Sequence, residues 1–338
     1  MNRTLFIYYG PHFVHASFAR VLNADFLPID FKIGWREKPK FPNKFFGVIS
    51  SILSLPKEYR IYLCESTYVI PAFSRKLHLL GDGKLFFNIV GDPLVYYLYF
   101  KVIKGIKRGI LLNLLHEVDG FICVGKMEAE LLRKLIETNS YIIVEPFIQK
   151  NVYSRLEKIS PTLESHNILF IANGPDWFYK GVDLLIESFS TAKKEIKDLR
   201  LTIVGKWQPK KEWLIEGVNF VGHQPSLEPY IQSSSLYVHL GRGEAFGISV
   251  LEAMLGGLPA IVSEWTGAKE VVQNLGSDFI SKLNYEDASN KIMKYFDLSL
   301  EKKIKLSKKA KSLASKFKED EKLRSFKEKF YKLLEELK

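Results

Sequence analysis

The chain reads as an α/β protein of two doubly wound, Rossmann-like domains. Its 338 residues are enough for two domains that each bury a core. Short apolar, β-branched or aromatic runs alternate with helical patterns over most of the length. Those strand-like runs are apolar throughout rather than alternating, as parallel strands covered by helices on both faces require.

In the first half the strand-like runs are TLFIYY, RIYLC, LFFNIV and GFICVG. The polar stretch KNVYSRLEKISPTLESHN (150–167) lacks a clear period and reads as the linker. ILFIAN (168–173) then opens the second half, followed by a helical face of Val182, Leu185, Phe189, Ala192 and Ile196. LRLTIVG, VNFVG, LYVHL and PAIVS complete its strands, each bounded by Gly, Pro or polar turns. From about residue 302 the chain has no Gly or Pro, and Leu323, Phe326, Phe330, Leu333 and Leu337 form the stripe of a helix that docks on something. The expected domains are 1–155, 156–315 and a terminal helix, 316–338.

Hydrophobic residues at 46% and charged residues at 26% exclude a disordered or fibrous chain. Cys64 and Cys123 lie inside apolar runs and read as reduced core thiols. No apolar run approaches the ~18 residues of a membrane span. The start MNRTLFIYYGPHF has too short an apolar core for a signal peptide, so a cytoplasmic protein is expected. The net charge of +11 divides into +7 over residues 1–150, −3 over 151–300 and +7 over 301–338. A basic surface suits nucleic acid, anionic lipid or acidic substrates, and composition alone does not choose. There is no aromatic-rich nucleic-acid recognition motif, metal-ligand spacing, Asp-x-Asp at a strand end or P-loop; GDGK (81–84) reads as a turn. No bound metal or other cofactor is expected.

The chemistry concentrates in GRGEAFGISVLEAMLGGLPAIVS (241–263), which is apolar and glycine-rich yet carries Glu244 and Glu252. With LYVHL as a strand and ISVLEAMLGG as a helix, Glu244 falls in the loop at a strand's carboxyl end, where open α/β sheets bind ligands. An unpaired buried carboxylate costs several kcal/mol, so each glutamate calls for hydrogen-bond donors. Sugar or ribose hydroxyls are such donors, and the helix start after a glycine loop favours a phosphate. Read from spacing alone, Glu244 as a helix cap and Glu252 on a solvated face remain equally open.

EAFGISVLEAMLGGLPAIVS closely resembles the donor-site motif of the family 4 (group 1) retaining glycosyltransferases. GVDLLIESF after Lys180, LTIVG, VNFVGHQPSLEPYIQSSSLYVHL and TGAKEVV (266–272) follow in that family's order. In the first half, DGFICVGKMEAELLRKL is the chief match. The resemblance implies a GT-B fold whose last helix crosses back to the first domain. It implies metal-independent transfer from a nucleotide-sugar donor, with Glu244 facing the donor sugar and Glu252 gripping the ribose. Ala245, Phe246, Gly247 and Ile248 would hold sugar oxygens. Thr266 and Gly267 would lie near the diphosphate, with Gly174 also in the donor site and Gly10 as the phosphate approach of the first domain, and Lys180 would neutralise the leaving group. A nucleotide-sugar epimerase or hydrolase of the same fold, or a non-catalytic relative, stays open.

Two positions depart from the pattern. Pro175 stands where the family carries an arginine, leaving Lys206 or Arg242 as replacement phosphate contacts. Gly91 stands before Asp92 where the family's first-domain strand ends in a histidine that approaches the sugar. His12, in the shortened loop YYGPHF, is a further candidate.

PLVYYLYFKVIKGIKRGILLNLL (93–115) interleaves Lys101, Lys104, Lys107 and Arg108 with aromatic and aliphatic residues and has no acid. FKIGWREKPKFPNKFF (31–46) adds five basic residues beside Trp35. Such segments suit an anionic membrane surface presenting a lipid-linked or saccharide acceptor on its cytoplasmic face; a core helix with a solvated basic edge is the alternative.

Overall fold

A computed structural model describes residues 3–8, 10, 12–29, 50, 52–65, 70–91, 94–172, 177–206 and 208–337. The chain forms two compact units, residues 1–146 with 320–338, and residues 147–319.

The first unit holds a six-stranded parallel sheet: β1 (Thr4–Tyr8), β2 (Asp25–Pro28), β3 (Ile61–Glu65), β4 (Leu85–Val90), β5 (Gly120–Cys123) and β6 (Tyr141–Ile143). Its order is β2-β1-β3-β4-β5-β6. The second unit repeats the plan with β7 (Asn167–Ile171), β8 (Arg200–Val204), β9 (Val218–Gly222), β10 (Leu236–His239), β11 (Ala260–Ser263) and β12 (Ile280–Ser281). These are again all parallel, in the order β12-β11-β10-β7-β8-β9. In each sheet the chain winds outward from one strand and then returns to its other side. The crevices this leaves lie beyond the carboxyl ends of β1 and β3 in the first sheet, and of β7 and β10 in the second. They are the places where doubly wound sheets bind ligands.

The central strands were legible because their cores are apolar without interruption: β3 and β10 are buried at every position. The edge strand β2 is mostly exposed, and β6 has only three residues, so neither carries an apolar run. The stretch 150–167 is no linker. Lys150–Leu156 is a helix of the second unit, anchored by Leu156 in the core and by an Arg155–Glu228 ion pair at 2.9 Å. Its polar surface hid a pattern resting on one buried residue.

The tail breaks into helices Leu300–Ala314 and Glu319–Glu336. The second packs on the first unit: Phe326 stacks on Phe18 with ring centroids 4.3 Å apart, and Phe330 meets Phe87 at 4.8 Å. Phe326, Phe330 and Leu333 are buried as the stripe predicted, while Leu323 and Leu337 are only partly so. Cys64 and Cys123 are free and buried, and burial pushes both thiols well up, which leaves them unreactive. Among the described residues no helix is long and apolar enough to cross a membrane.

Truncating Phe326 to alanine should leave a large void between the terminal helix and the Phe13–Val21 helix. A loss of about 3–5 kcal/mol is expected, read by denaturant unfolding of the first unit.

Candidate functional site

The site of the second unit is assembled from three segments at the carboxyl edge of its sheet. The loop after β10 carries Glu244, Ala245, Phe246 and Gly247, and leads into the helix Ile248–Leu255. The turn before the helix Val182–Glu195 carries Tyr179 and Lys180. The loop after β11 carries Thr266 and Gly267.

Backbone hydrogen bonds lace these segments together. The Gly267 N–H donates to the Glu244 carbonyl at 2.8 Å, and the Ala268 N–H to the Phe246 carbonyl at 2.8 Å. The Gly243 N–H donates to the Trp265 carbonyl at 3.0 Å, and the Arg242 N–H to the Tyr179 carbonyl at 2.8 Å. The Tyr179 hydroxyl donates to the Gly243 carbonyl at 2.8 Å. Two glycines permit this closeness. A Cβ at Gly181 would lie 1.9 Å from the Leu240 carbonyl oxygen, and its φ of +71° is itself unfavourable to other residues. A Cβ at Gly267 would lie 2.0 Å from the Ala245 carbonyl oxygen.

At the centre the Lys180 ammonium is ion-paired with the Glu244 carboxylate, both side chains mostly withdrawn from water. His239, the last residue of β10, sits below with Nε2 3.6 Å from a Glu244 oxygen, beyond hydrogen-bond range. Burial opposes ionisation of Glu244, yet the Lys180 ammonium outweighs it and holds the carboxyl well below the usual carboxylate range. Burial keeps the His239 imidazole from protonating despite that neighbouring carboxylate. The resulting group is a fixed anion and cation above a neutral, buried imidazole. The sequence pattern passed over His239; its signal was a histidine at a strand end five residues before Glu244.

Glu252 lies partly buried on the helix Ile248–Leu255, between the fully buried Leu251 and Ala253. Burial pushes its carboxyl up to about 7, and Arg155 opposes the shift. This glutamate is therefore poised between neutral and ionised forms near neutrality. Arg155 was missed because it lies in the stretch taken for a linker.

The other expected residues divide. Ala245 and Phe246 are buried, with Phe246 against Phe317 at 5.9 Å between centroids, and Ile248 is partly exposed at the helix start. Thr266 is fully buried, and its hydroxyl is hydrogen-bonded to Ser263 at 3.0 Å, so its side chain holds the loop rather than facing outward. Arg242 is no open phosphate contact: its guanidinium grips Asp183 at 2.8 and 3.0 Å and donates to the Phe178 carbonyl. Lys206 is exposed just past β8. Gly174, Pro175 and Asp92 lie outside the described residues, as does the basic cluster 31–46.

In the first unit Gly10 is exposed after β1. His12 caps the helix Phe13–Val21, its Nδ1 accepting from the Val14 N–H at 3.4 Å, which is a structural use. Lys101, Lys104 and Lys107 are exposed around the turn between the helices Leu94–Tyr99 and Gly105–Leu115. Arg108 departs from that set: it is partly buried, and its Nε donates to the Leu98 carbonyl at 3.1 Å, tying the two helices together. Among and beside the lysines, Phe100, Val102, Ile106 and Ile110 stand 42, 51, 84 and 47% exposed.

Among the described residues no cluster of three or more His, Cys, Asp or Glu side chains could hold a metal ion.

Known proteins resemble the chain in sequence over its second half and in fold. Residues 157–313 match the family described as "Glycosyl transferases group 1". An uncharacterized glycosyltransferase of Haemophilus influenzae is 26% identical over 178 residues, covering 49% of this chain and 48% of that protein. The chain thus aligns with about half the length of that relative. Among solved structures, sucrose-phosphate synthase from Thermosynechococcus elongatus superposes with a TM-score of 0.74 at 15% identity, over 98% of this chain and 99% of that one. Anabaena HepE, crystallised with UDP and glucose, gives a TM-score of 0.71 at 14% identity, over 99% and 100% of the two chains. At such identities the structures speak for the fold, which is GT-B. Residues 157–313, which carry the Lys180 and Glu244 loops, are thus similar to the group 1 glycosyl transferases.

Proposed function

We propose that the protein transfers a sugar from a nucleotide-sugar donor to a hydroxyl acceptor, with retention of configuration and without a metal. The observation that carries this reading is the buried Lys180–Glu244 pair at the carboxyl edge of the second sheet, beside the start of the helix Ile248–Leu255. Cleavage of the donor's C1–O bond sends an electron pair onto the diphosphate. A preset ammonium and helix-start amides, held in a site of low dielectric, stabilise that charge as it develops. Glu244, kept ionised, accepts hydrogen bonds from sugar hydroxyls, and Glu252 accepts them from the ribose. The amides around Phe246, Gly247 and Ile248 hold further oxygens, with Thr266 and Gly267 supplying backbone beside the diphosphate. Arg242, committed to Asp183, does not take the place of the arginine absent at Pro175.

The acceptor is lipid-linked or a saccharide, presented at an anionic membrane on the cytoplasmic side. The exposed Phe100, Val102, Ile106 and Ile110 interspersed with and flanking Lys101, Lys104 and Lys107 support this: apolar side chains enter the headgroup boundary while lysines meet anionic lipid. Sucrose-phosphate synthase and HepE are structures of the same fold, so the fold by itself does not choose the acceptor.

Lys180→Ala should lower kcat for UDP release from UDP-glucose by about 10²-fold or more, the usual cost of losing one preset charge-stabilising group. Glu244→Gln should do likewise in a folded protein. Unchanged turnover in both would remove the basis of the proposal. Glu252 gives a pH test. Its unfolded carboxyl ionises near 4.5 and its folded one near 7, so the stability it contributes below 4.5 is lost as pH rises through 7. Ligand-free Glu252→Gln should therefore gain thermal stability over the wild type between pH 5 and 8. UDP, which prefers the ionised carboxylate, should bind the wild type more tightly at pH 8 than at pH 6, with a smaller change in the variant. For the surface, sedimentation with vesicles containing phosphatidylglycerol should capture the protein, and Ile106→Asp should weaken capture several-fold. Equal binding to purely neutral vesicles would count against an anionic membrane.

A further inference from the structure

The first unit carries a buried charged pair that the donor chemistry does not use. Glu65 is the last residue of β3, and His15 lies in the first turns of the helix that follows β1. They meet at the crevice where the first sheet reverses its winding. The His15 Nδ1 lies 2.9 Å from a Glu65 oxygen, and the same oxygen accepts the His12 N–H at 3.3 Å. Both residues are nearly withdrawn from solvent.

The opposite edge of the imidazole faces a glycine. Gly91 follows β4 directly, and a Cβ there would stand 2.5 Å from His15 Nε2 and 2.8 Å from Cε1. The imidazole thus takes the space that any larger residue at position 91 would fill. A buried carboxylate on Nδ1 fixes that nitrogen as the N–H donor, which leaves the Nε2 lone pair as an acceptor. A pair that only filled space would gain little by carrying two polar groups into the interior; apolar residues of similar volume serve as well or better.

We infer that His15 is a substrate-contacting residue, whose Nε2 accepts a hydrogen bond from a saccharide hydroxyl at the carboxyl edge of the first sheet. Glu65 is its positioning residue, and Gly91 leaves the room that the imidazole takes. This rests on the sugar-transfer reading above.

The test uses the full chain with UDP and UDP-glucose as probes. Affinities are read by calorimetry, UDP release by steady-state kinetics and the His15 tautomer by nitrogen NMR. His15→Ala should bind UDP within two-fold of the wild type and lose at least ten-fold in kcat/KM for UDP release. If the hydroxyl belongs to the donor sugar, UDP-glucose affinity falls in parallel; if it belongs to the acceptor, or to the water that replaces it, the loss is in kcat. Gly91→Ala leaves both residues in the chain but puts a methyl where Nε2 stands, so the imidazole must shift, and it should reproduce the defect should His15→Ala fold poorly. Glu65→Leu, which removes the acceptor, should abolish the single Nδ1–H tautomer that the wild type shows.

UDP release by Gly91→Ala and a folded His15→Ala within two-fold of the wild type would overturn the assignment while leaving the sugar-transfer reading standing. A wild type that neither binds nor cleaves UDP-glucose, nor binds UDP, would overturn both.

Discussion

The second unit is organised around the withdrawal of one ion pair, Lys180 with Glu244, from bulk water. Two charges in a low-dielectric setting tolerate little misplacement: removal of either leaves the other uncompensated, typically at a cost of about 3–5 kcal/mol. The surrounding backbone answers that constraint. The loops after β10 and β11 are hydrogen-bonded to one another, and Tyr179 is bonded to the first of them. At Gly181 and Gly267 the chains approach so closely that a side chain would meet a carbonyl oxygen. The same rigidity that makes the pair tolerable presents it at the edge of the sheet with its geometry set before a ligand arrives. Preset charge of that kind is what a departing diphosphate needs, because no reorganisation remains to be done during bond cleavage.

The two glutamates of the motif from Gly241 to Ser263 differ in kind because their surroundings differ. Glu244 has a cation beside it and stays ionised through burial, whereas Glu252 has only the more distant influence of Arg155 and is pushed toward neutrality. One carboxylate thus has a constant charge and the other a charge that ligand hydroxyls can call out. The first unit repeats the device in milder form: a carboxylate at a strand end, Glu65, holds a nitrogen base, His15, at the corresponding reversal of its sheet. Doubly wound sheets invite this repetition, since crossovers diverge there and leave strand ends and loop amides facing a common gap.

Much of this was readable in advance. Central strands announce themselves because burial on both faces demands apolar residues without a break. The motif from Gly241 to Ser263 stood out because carboxylates in such a run need donors. What escaped notice was whatever depended on a partner distant along the chain. The helix Lys150–Leu156 has one buried side chain and looks like a linker until Glu228 is seen against Arg155. Arg242 looks like a phosphate ligand until Asp183 is seen to hold both arms of its guanidinium, and Arg108 like a lipid contact until its bond to Leu98 is seen.

The sequence by itself determined the parallel two-sheet architecture, the terminal helix and the residues of the Glu244 loop, because these follow from local periodicity and the order of short motifs. Only the tertiary structure decided which charges are spent on the fold and which are displayed, why Glu252 and Glu244 titrate apart, and that His15 stands where Gly91 has no side chain. Those properties arise from pairings such as Arg242 with Asp183, 59 residues apart, and His15 with Glu65, 50 apart, or from desolvation. Both depend on which segments fold against each other, and neither leaves a mark in the spacing of a single chain segment.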